Sequence, residues 1–83
     1  MELFVICSVT EGGRYVIAAD TNGERADRKA KETARDIARE YDATVRAQTI
    51  ANPLNGGPNV GKVYHVRKAG EWIANVELYS VWE

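Results

Sequence analysis

The chain has 83 residues, a length that fits a single domain with a thin hydrophobic core, which we assign to residues 1–83. Its composition, 45% hydrophobic and 28% charged, excludes a disordered chain. The formal net charge is −1, from 11 basic and 12 acidic side chains, so the chain lacks the basic excess of a general nucleic-acid binder.

The cellular setting is indicated by the single cysteine, Cys7, which cannot form an internal disulfide and lies in an apolar run. The first residues carry no basic leader, and no apolar run approaches the length that spans a membrane. We therefore expect a cytoplasmic protein without a membrane partner.

The first third of the chain predicts a β-hairpin. Leu3–Thr10 is rich in β-branched and aromatic residues, Glu11-Gly12-Gly13 suits a tight turn, and Arg14–Asp20 forms the returning strand.

A single helix is predicted from about Asn22 to Tyr41. Thr21 and Glu24 have the spacing of a capping box at its start. Small and apolar residues recur at steps of three and four, which defines one helical face: Ala26, Ala30, Ala34, Ile37, Ala38 and Tyr41.

The second half of the chain predicts three more strands. Thr44–Ile50 alternates loosely, and the glycine- and proline-rich segment 51–61 reads as a loop. Lys62–Lys68 and Trp72–Trp82 form a second hairpin. The pattern predicts a two-layer α+β fold of order ββαβββ, with a mainly antiparallel sheet and one helix packed on it.

One helix covers only one face of such a sheet, yet the strands do not alternate cleanly between apolar and polar residues. Leu3, Val5, Cys7 and Val9 point one way while Phe4 and Ile6 point the other. The last strand divides in the same way: one side carries Trp72, Ala74, Val76 and Leu78, and the other carries Ile73, Tyr79 and Val81. We therefore expect an open apolar face that a protein partner or a second copy of the chain covers.

The segment Gly56–Lys62 resembles the phosphate-binding loop of translation-factor-like GTPases. In that family backbone amides and the lysine hold phosphates, and a following hydroxyl holds magnesium. Here the next residue is Val63, and a strand pattern follows instead of a helix. Nucleotide or anion binding by this loop is kept as an alternative function.

Chemistry-bearing residues are sparse. His65 is the only histidine, and no second histidine or cysteine lies at ligand spacing. The row of carboxylates on the helix, Glu32, Asp36 and Glu40, is interleaved with basic residues as on a solvated surface. We predict no catalytic, cofactor or metal site, and no enzymatic activity.

The second hairpin provides the candidate partner-binding residues, which are Tyr64, Arg67, Lys68 and Trp72. Tyrosine, tryptophan and arginine are the usual anchors of protein interfaces. The same set could stack bases and hold phosphates, so a small nucleic-acid-binding module is a second alternative. The competing interpretation places the two aromatic residues in the core.

In layout the chain resembles small phage-encoded anti-defence proteins, notably anti-CRISPR proteins. The resemblance is carried by the hairpin around Glu11-Gly12-Gly13, the Ala30/Ala34/Ala38 helix and the terminal strand ending Tyr79-Ser80-Val81-Trp82-Glu83. It implies an inhibitor that occupies a binding surface of a host defence complex. The balanced charge departs from the strongly acidic DNA mimics of that group.

Overall fold

The computed structural model describes residues 2–51 and 60–82 of the chain. One helix and five strands follow the predicted order, which confirms the α+β fold. The elements are β1 (Glu2–Thr10), β2 (Gly13–Asp20), α1 (Gly23–Tyr41), β3 (Thr44–Ala51), β4 (Val60–Lys68) and β5 (Glu71–Trp82).

All five strands form one antiparallel sheet of order β2-β1-β5-β4-β3. The central strand is therefore β5, the last in the sequence. It pairs with β1 from Glu2↔Trp82 to Val9↔Asn75, and with β4 from Lys62↔Leu78 to Lys68↔Glu71. Strands β2 and β3 form the two edges of the sheet.

Helix α1 begins one residue later than the capping box predicts. The N-cap is Asn22, whose side chain accepts a hydrogen bond from the Arg25 backbone N–H at 2.9 Å. The next position is occupied by glycine, Gly23, because the Cβ of any other residue there would lie only 2.9 Å from the Phe4 ring. The helix ends at Asp42, whose left-handed backbone lets its N–H reach the carbonyls of the last turn.

The predicted alanine stripe packs on the sheet. All four alanines of α1 are buried, and Ala30 and Ala34 have no exposed surface. Their small side chains let the helix lie close to large sheet residues, which are Ile6, Tyr64, Val66 and Val76. Burial of these large groups contributes hydrophobic free energy to folding.

We expect Ala34→Leu to lower the free energy of unfolding by about 1–3 kcal/mol, because the added carbons have no space between helix and sheet. Urea denaturation followed by circular dichroism measures this change. The matched control is Lys31→Leu at an exposed helix position, which should change stability by less than about 0.5 kcal/mol. Equal effects of the two variants would show that the helix does not pack on the sheet through Ala34.

A β-bulge changes the predicted facing of the last strand. The β4–β5 register shifts between Val66 and Arg67, so that Arg67 pairs with Trp72 and Ile73 is skipped. Ile73 therefore packs against the core beside Ala74, whereas strict alternation assigned Ile73 to the opposite face. The Trp72 side chain bonds to Asn75, which belongs to the face away from the helix.

We call the face of the sheet away from α1 the second face. It carries apolar residues, as predicted, but at its centre Cys7, Val63 and Tyr79 are 5%, 3% and 2% exposed. The expectation of an open apolar face is therefore wrong there. Among the described residues, large exposed apolar side chains near this face remain at Val16 and Ile17 on the edge strand β2 and at Trp72 beside the β4–β5 turn. Because these central residues are already buried, they give no argument for a homodimer that pairs through the centre of this face.

The start of the helix is tied to the end of β2 by Asp20. This carboxylate accepts hydrogen bonds from the Arg25 guanidinium, at 2.5 and 2.7 Å, and from the Asn22 backbone N–H, at 2.9 Å. These bonds favour the ionised form and lower the pKa of Asp20 to about 2. The same bonds raise the pKa of Arg25.

The titration of Asp20 is directly measurable. In the unfolded chain its pKa is about 3.9, so the pair stabilises the fold above that pH and its contribution is lost as pH falls toward 2. We expect the ¹³C-detected carboxyl titration of Asp20 to have its midpoint near pH 2 in the folded protein. The variant Arg25→Gln should raise the midpoint. A midpoint of about 3.9 in the unmodified chain would contradict the assignment.

Candidate functional site

The structure separates the four predicted partner-binding residues. Tyr64 is 1% exposed and lies in the core beneath α1, so it is not available to a partner. Its hydroxyl donates a hydrogen bond to the Asp27 carboxylate. Burial, together with this bond, raises the pKa of Tyr64. For Tyr64 the core interpretation is therefore correct, while Arg67, Lys68 and Trp72 are exposed near the β4–β5 turn.

A cleft of about 510 Å³ opens at the end of the sheet that carries the β1–β2 and β4–β5 turns. We call it the end cleft. The last turns of α1 form one wall, and the ends of β1 and β5 form the other. Its lining residues are Ser8, Thr10, Glu11, Gly12, Ile37, Glu40, Tyr41, Trp72, Ile73 and Ala74.

The exposed aromatic side chains of the described residues gather around the end cleft. Tyr41 and Trp72 line it and are 51% and 40% exposed. Tyr15, 58% exposed, donates its hydroxyl hydrogen bond to the carbonyl of Gly12, a lining residue, at 2.8 Å. Such amphipathic rings contribute large contact areas with few rotatable bonds.

The rim of the end cleft is acidic. Glu11 extends from the β1–β2 turn, Glu40 belongs to the last helical turn, and none of the lining residues is basic. The cleft thus combines apolar walls with negative charge at its opening. Sequence reasoning selected Trp72 and missed Tyr15 and Tyr41, because the pairing of β1 with β5 that brings the two turns together is a long-range contact.

A hydrogen-bonded chain crosses the second face near the same end. Trp72 Nε1 donates to Asn75 Oδ1 at 2.9 Å, and the same oxygen lies 3.0 Å from His65 Nδ1. Because an indole nitrogen only donates, Asn75 must present its oxygen, and His65 Nδ1 therefore carries a proton. On the other side, His65 Nε2 lies 2.9 Å from the Gln48 amide group. Because Nε2 of this tautomer accepts, the Gln48 amide presents its N–H₂ group to the ring.

A buried carboxylate at the centre of the second face is a feature that the sequence did not reveal. Glu77 is 6% exposed, and its Oε1 lies 3.2 Å from the Arg14 guanidinium. Tyr79 lies close by. Its burial, and to a smaller extent the neighbouring Glu77 carboxylate, raises the pKa of the Tyr79 hydroxyl. Cys7 pairs with Glu77 across the strands, and burial raises the pKa of its thiol. Because its pKa is raised, the thiol is disfavoured from ionising to the reactive thiolate.

We expect Arg14→Ala to lower the free energy of unfolding by about 1–3 kcal/mol, because Glu77 would be left buried without its cation. Thermal or urea unfolding measures the loss. Arg39→Ala is the matched control, since Arg39 pairs with an exposed aspartate and should contribute less than about 0.5 kcal/mol. Adding Glu77→Gln to Arg14→Ala should restore part of the loss. Similar losses for the two arginine variants would contradict this account.

The end of the phosphate-loop-like segment lies in β4. Lys62 forms an ion pair with Asp27 of the helix at 3.3 Å, so its ammonium group already has a partner. A Cβ at Gly61 would lie 2.8 Å from the Leu78 carbonyl oxygen, so close packing on β5 accounts for this glycine. Residues 56–59 of the motif lie outside the described residues.

Comparison with known proteins finds no matching family model, no similar curated protein and no similar solved structure. Within the described ranges, no three His, Cys, Asp or Glu side chains group closely enough to hold a metal ion. In the same ranges, no helix has both the length and the apolar character needed to cross a membrane.

Proposed function

We propose that the chain is a small non-enzymatic protein-binding module whose contact surface is the end cleft. The observation that carries the proposal is the gathering of Tyr15, Tyr41 and Trp72 at one end of the molecule. Exposed aromatic side chains beside a concave surface are the usual anchors of protein interfaces. Arg67, from the predicted set, flanks this surface through its pairing with Trp72.

The chemistry of the end cleft indicates the kind of segment that it binds. Its apolar floor, formed by Ile37, Ile73 and Ala74, suits an aliphatic or aromatic side chain of the partner. The carboxylates of Glu11 and Glu40 at the rim suit a lysine or arginine beside that side chain. We therefore propose a partner that presents an apolar residue next to a basic one.

Within this proposal the chain acts by occupying a surface that its partner needs for another interaction. The resemblance in layout to small anti-defence proteins extends the proposal to inhibition of a host defence complex by a phage-encoded protein. In such a mechanism no bond is made or broken, and the inhibitor needs only affinity and a shape that excludes the natural ligand.

The experiment begins with capture of a partner from a host lysate by the immobilised chain, followed by identification by mass spectrometry. Isothermal titration with the purified partner then compares variants. We expect Tyr41→Ala and Trp72→Ala each to weaken binding by about tenfold or more, since anchoring aromatics contribute on the order of 2 kcal/mol.

The matched control is Val16→Ala, which removes an apolar side chain that is 68% exposed and does not line the end cleft. It should leave the affinity within about twofold, which is the scale of near-neutral interface contacts. Circular dichroism verifies that each variant is folded. If both aromatic variants keep full affinity, or if Val16→Ala weakens binding more than they do, the end cleft is not the contact surface.

A further inference from the structure

A second concave surface lies near the opposite edge of the sheet, between β3 and β4. It has a volume of about 410 Å³ and is lined by Arg46, Ala47, Gln48, His65 and Arg67. We call it the basic cleft. It shares no lining residue with the end cleft, although Trp72 of the end cleft pairs with Arg67 of the basic cleft across β4 and β5.

The strand register brings the cationic side chains of the basic cleft together. Arg46 pairs directly with His65, and Arg67 lies two residues further along β4 on the same face. Directly paired residues have their Cβ atoms about 5 Å apart, and diagonal neighbours about 7–8 Å, so both guanidinium groups can reach one bound group.

These two guanidinium groups carry unneutralised charge. The ion pairs of the described residues use Arg14, Arg25, Arg39 and Lys62, and none of them involves Arg46 or Arg67. Arg67 donates one hydrogen bond, to the carbonyl oxygen of Gly70 at 2.9 Å. A guanidinium has five N–H donors, so most of the donors here are unused by the described protein groups.

The floor of the basic cleft is rigid. His65 is held from both sides by Asn75 and Gln48, and Asn75 is fixed in turn by the Trp72 indole N–H. The Gln48 amide group lies 2.9 Å from His65 Nε2, so both ring nitrogens have partners within the protein. A ligand that enters this cleft meets a floor that is already ordered, which lowers the entropic cost of binding.

We propose that the basic cleft binds the phosphate group of a small phosphate monoester. A phosphate monoester carries nearly two negative charges at neutral pH, which matches the two unpaired arginines, and its oxygens fit the guanidinium fork. The volume of the cleft suits one phosphate with a small organic group. The exposed Trp72, paired with Arg67 across the strands, lies where it can contact that organic group.

A phosphate monoester is favoured over a nucleic-acid backbone because the basic residues form one compact group. The next arginine on the second face, Arg14, is already paired with Glu77. Binding along a nucleic-acid strand needs a charged track that contacts several phosphates, and the net charge of the chain is −1.

The test uses the full chain with inorganic phosphate and with AMP as probes, each at constant ionic strength set with sodium chloride. NMR follows the Arg Nε–Hε signals of Arg46 and Arg67 during the titration. We expect saturable shifts of both signals, with AMP binding more tightly than phosphate. The double variant Arg46→Gln/Arg67→Gln should weaken AMP binding by about tenfold or more, since each bond to a charged group contributes on the order of a factor of ten.

The charge-matched control is Arg28→Gln/Arg35→Gln, which removes two exposed arginines from the helix and should leave AMP binding unchanged. Arg46→Lys keeps the charge but loses the fork, and an intermediate affinity would support a built site. The proposal is overturned if the NMR shifts do not saturate, or if the two double variants lose the same AMP affinity. Either result would show that AMP responds only to the overall charge of the chain. Binding of an oligonucleotide without terminal phosphates, combined with failure of AMP to bind, would replace it with a nucleic-acid site.

Discussion

The close contact between the alanine face of α1 and the sheet is the constraint on which the rest of the structure depends. With no side chain longer than a methyl group in its centre, the helix lies directly on Tyr64, Val66 and Val76. The large volumes are therefore supplied by the strands. Asp27 then fixes the position of the helix, because its carboxylate holds both the Tyr64 hydroxyl and the Lys62 ammonium group. The core lies between α1 and the middle of the sheet, and the end cleft and the basic cleft lie outside it, at an end and near an edge of the sheet.

The local elements could be predicted from the sequence because each is encoded by near neighbours. The alanine spacing defined α1, and Gly12 and Gly13 marked the first turn. The capping residue was misassigned by one position, because Thr21 and Asn22 are both good caps, and the close approach of Phe4 to Gly23 is a tertiary contact. Every predicted strand was found with its ends shifted by at most two residues.

The order of the strands in the sheet, and the face to which each strand residue points, could not be predicted from the sequence. Both depend on contacts between residues that are distant in the chain. Alternation assigned Ile73 to the second face, but one skipped residue in the β4–β5 register reverses that assignment. The same limit applies to the sites. Trp72 was recognised as a candidate anchor, whereas Tyr41, Arg46 and Glu77 acquire their surroundings only when β1, β5, β4 and β3 are assembled. Tyr64 looked like an anchor in the sequence and is a core residue.

The central position of β5 has a consequence for how the protein is made. In the five-stranded sheet, β5 is the strand that pairs with both the β1–β2 hairpin and the β3–β4 hairpin. On the ribosome, both hairpins emerge before β5, so each exposes an unpaired inner edge until β5 emerges. Premature association between nascent copies is the hazard of that interval.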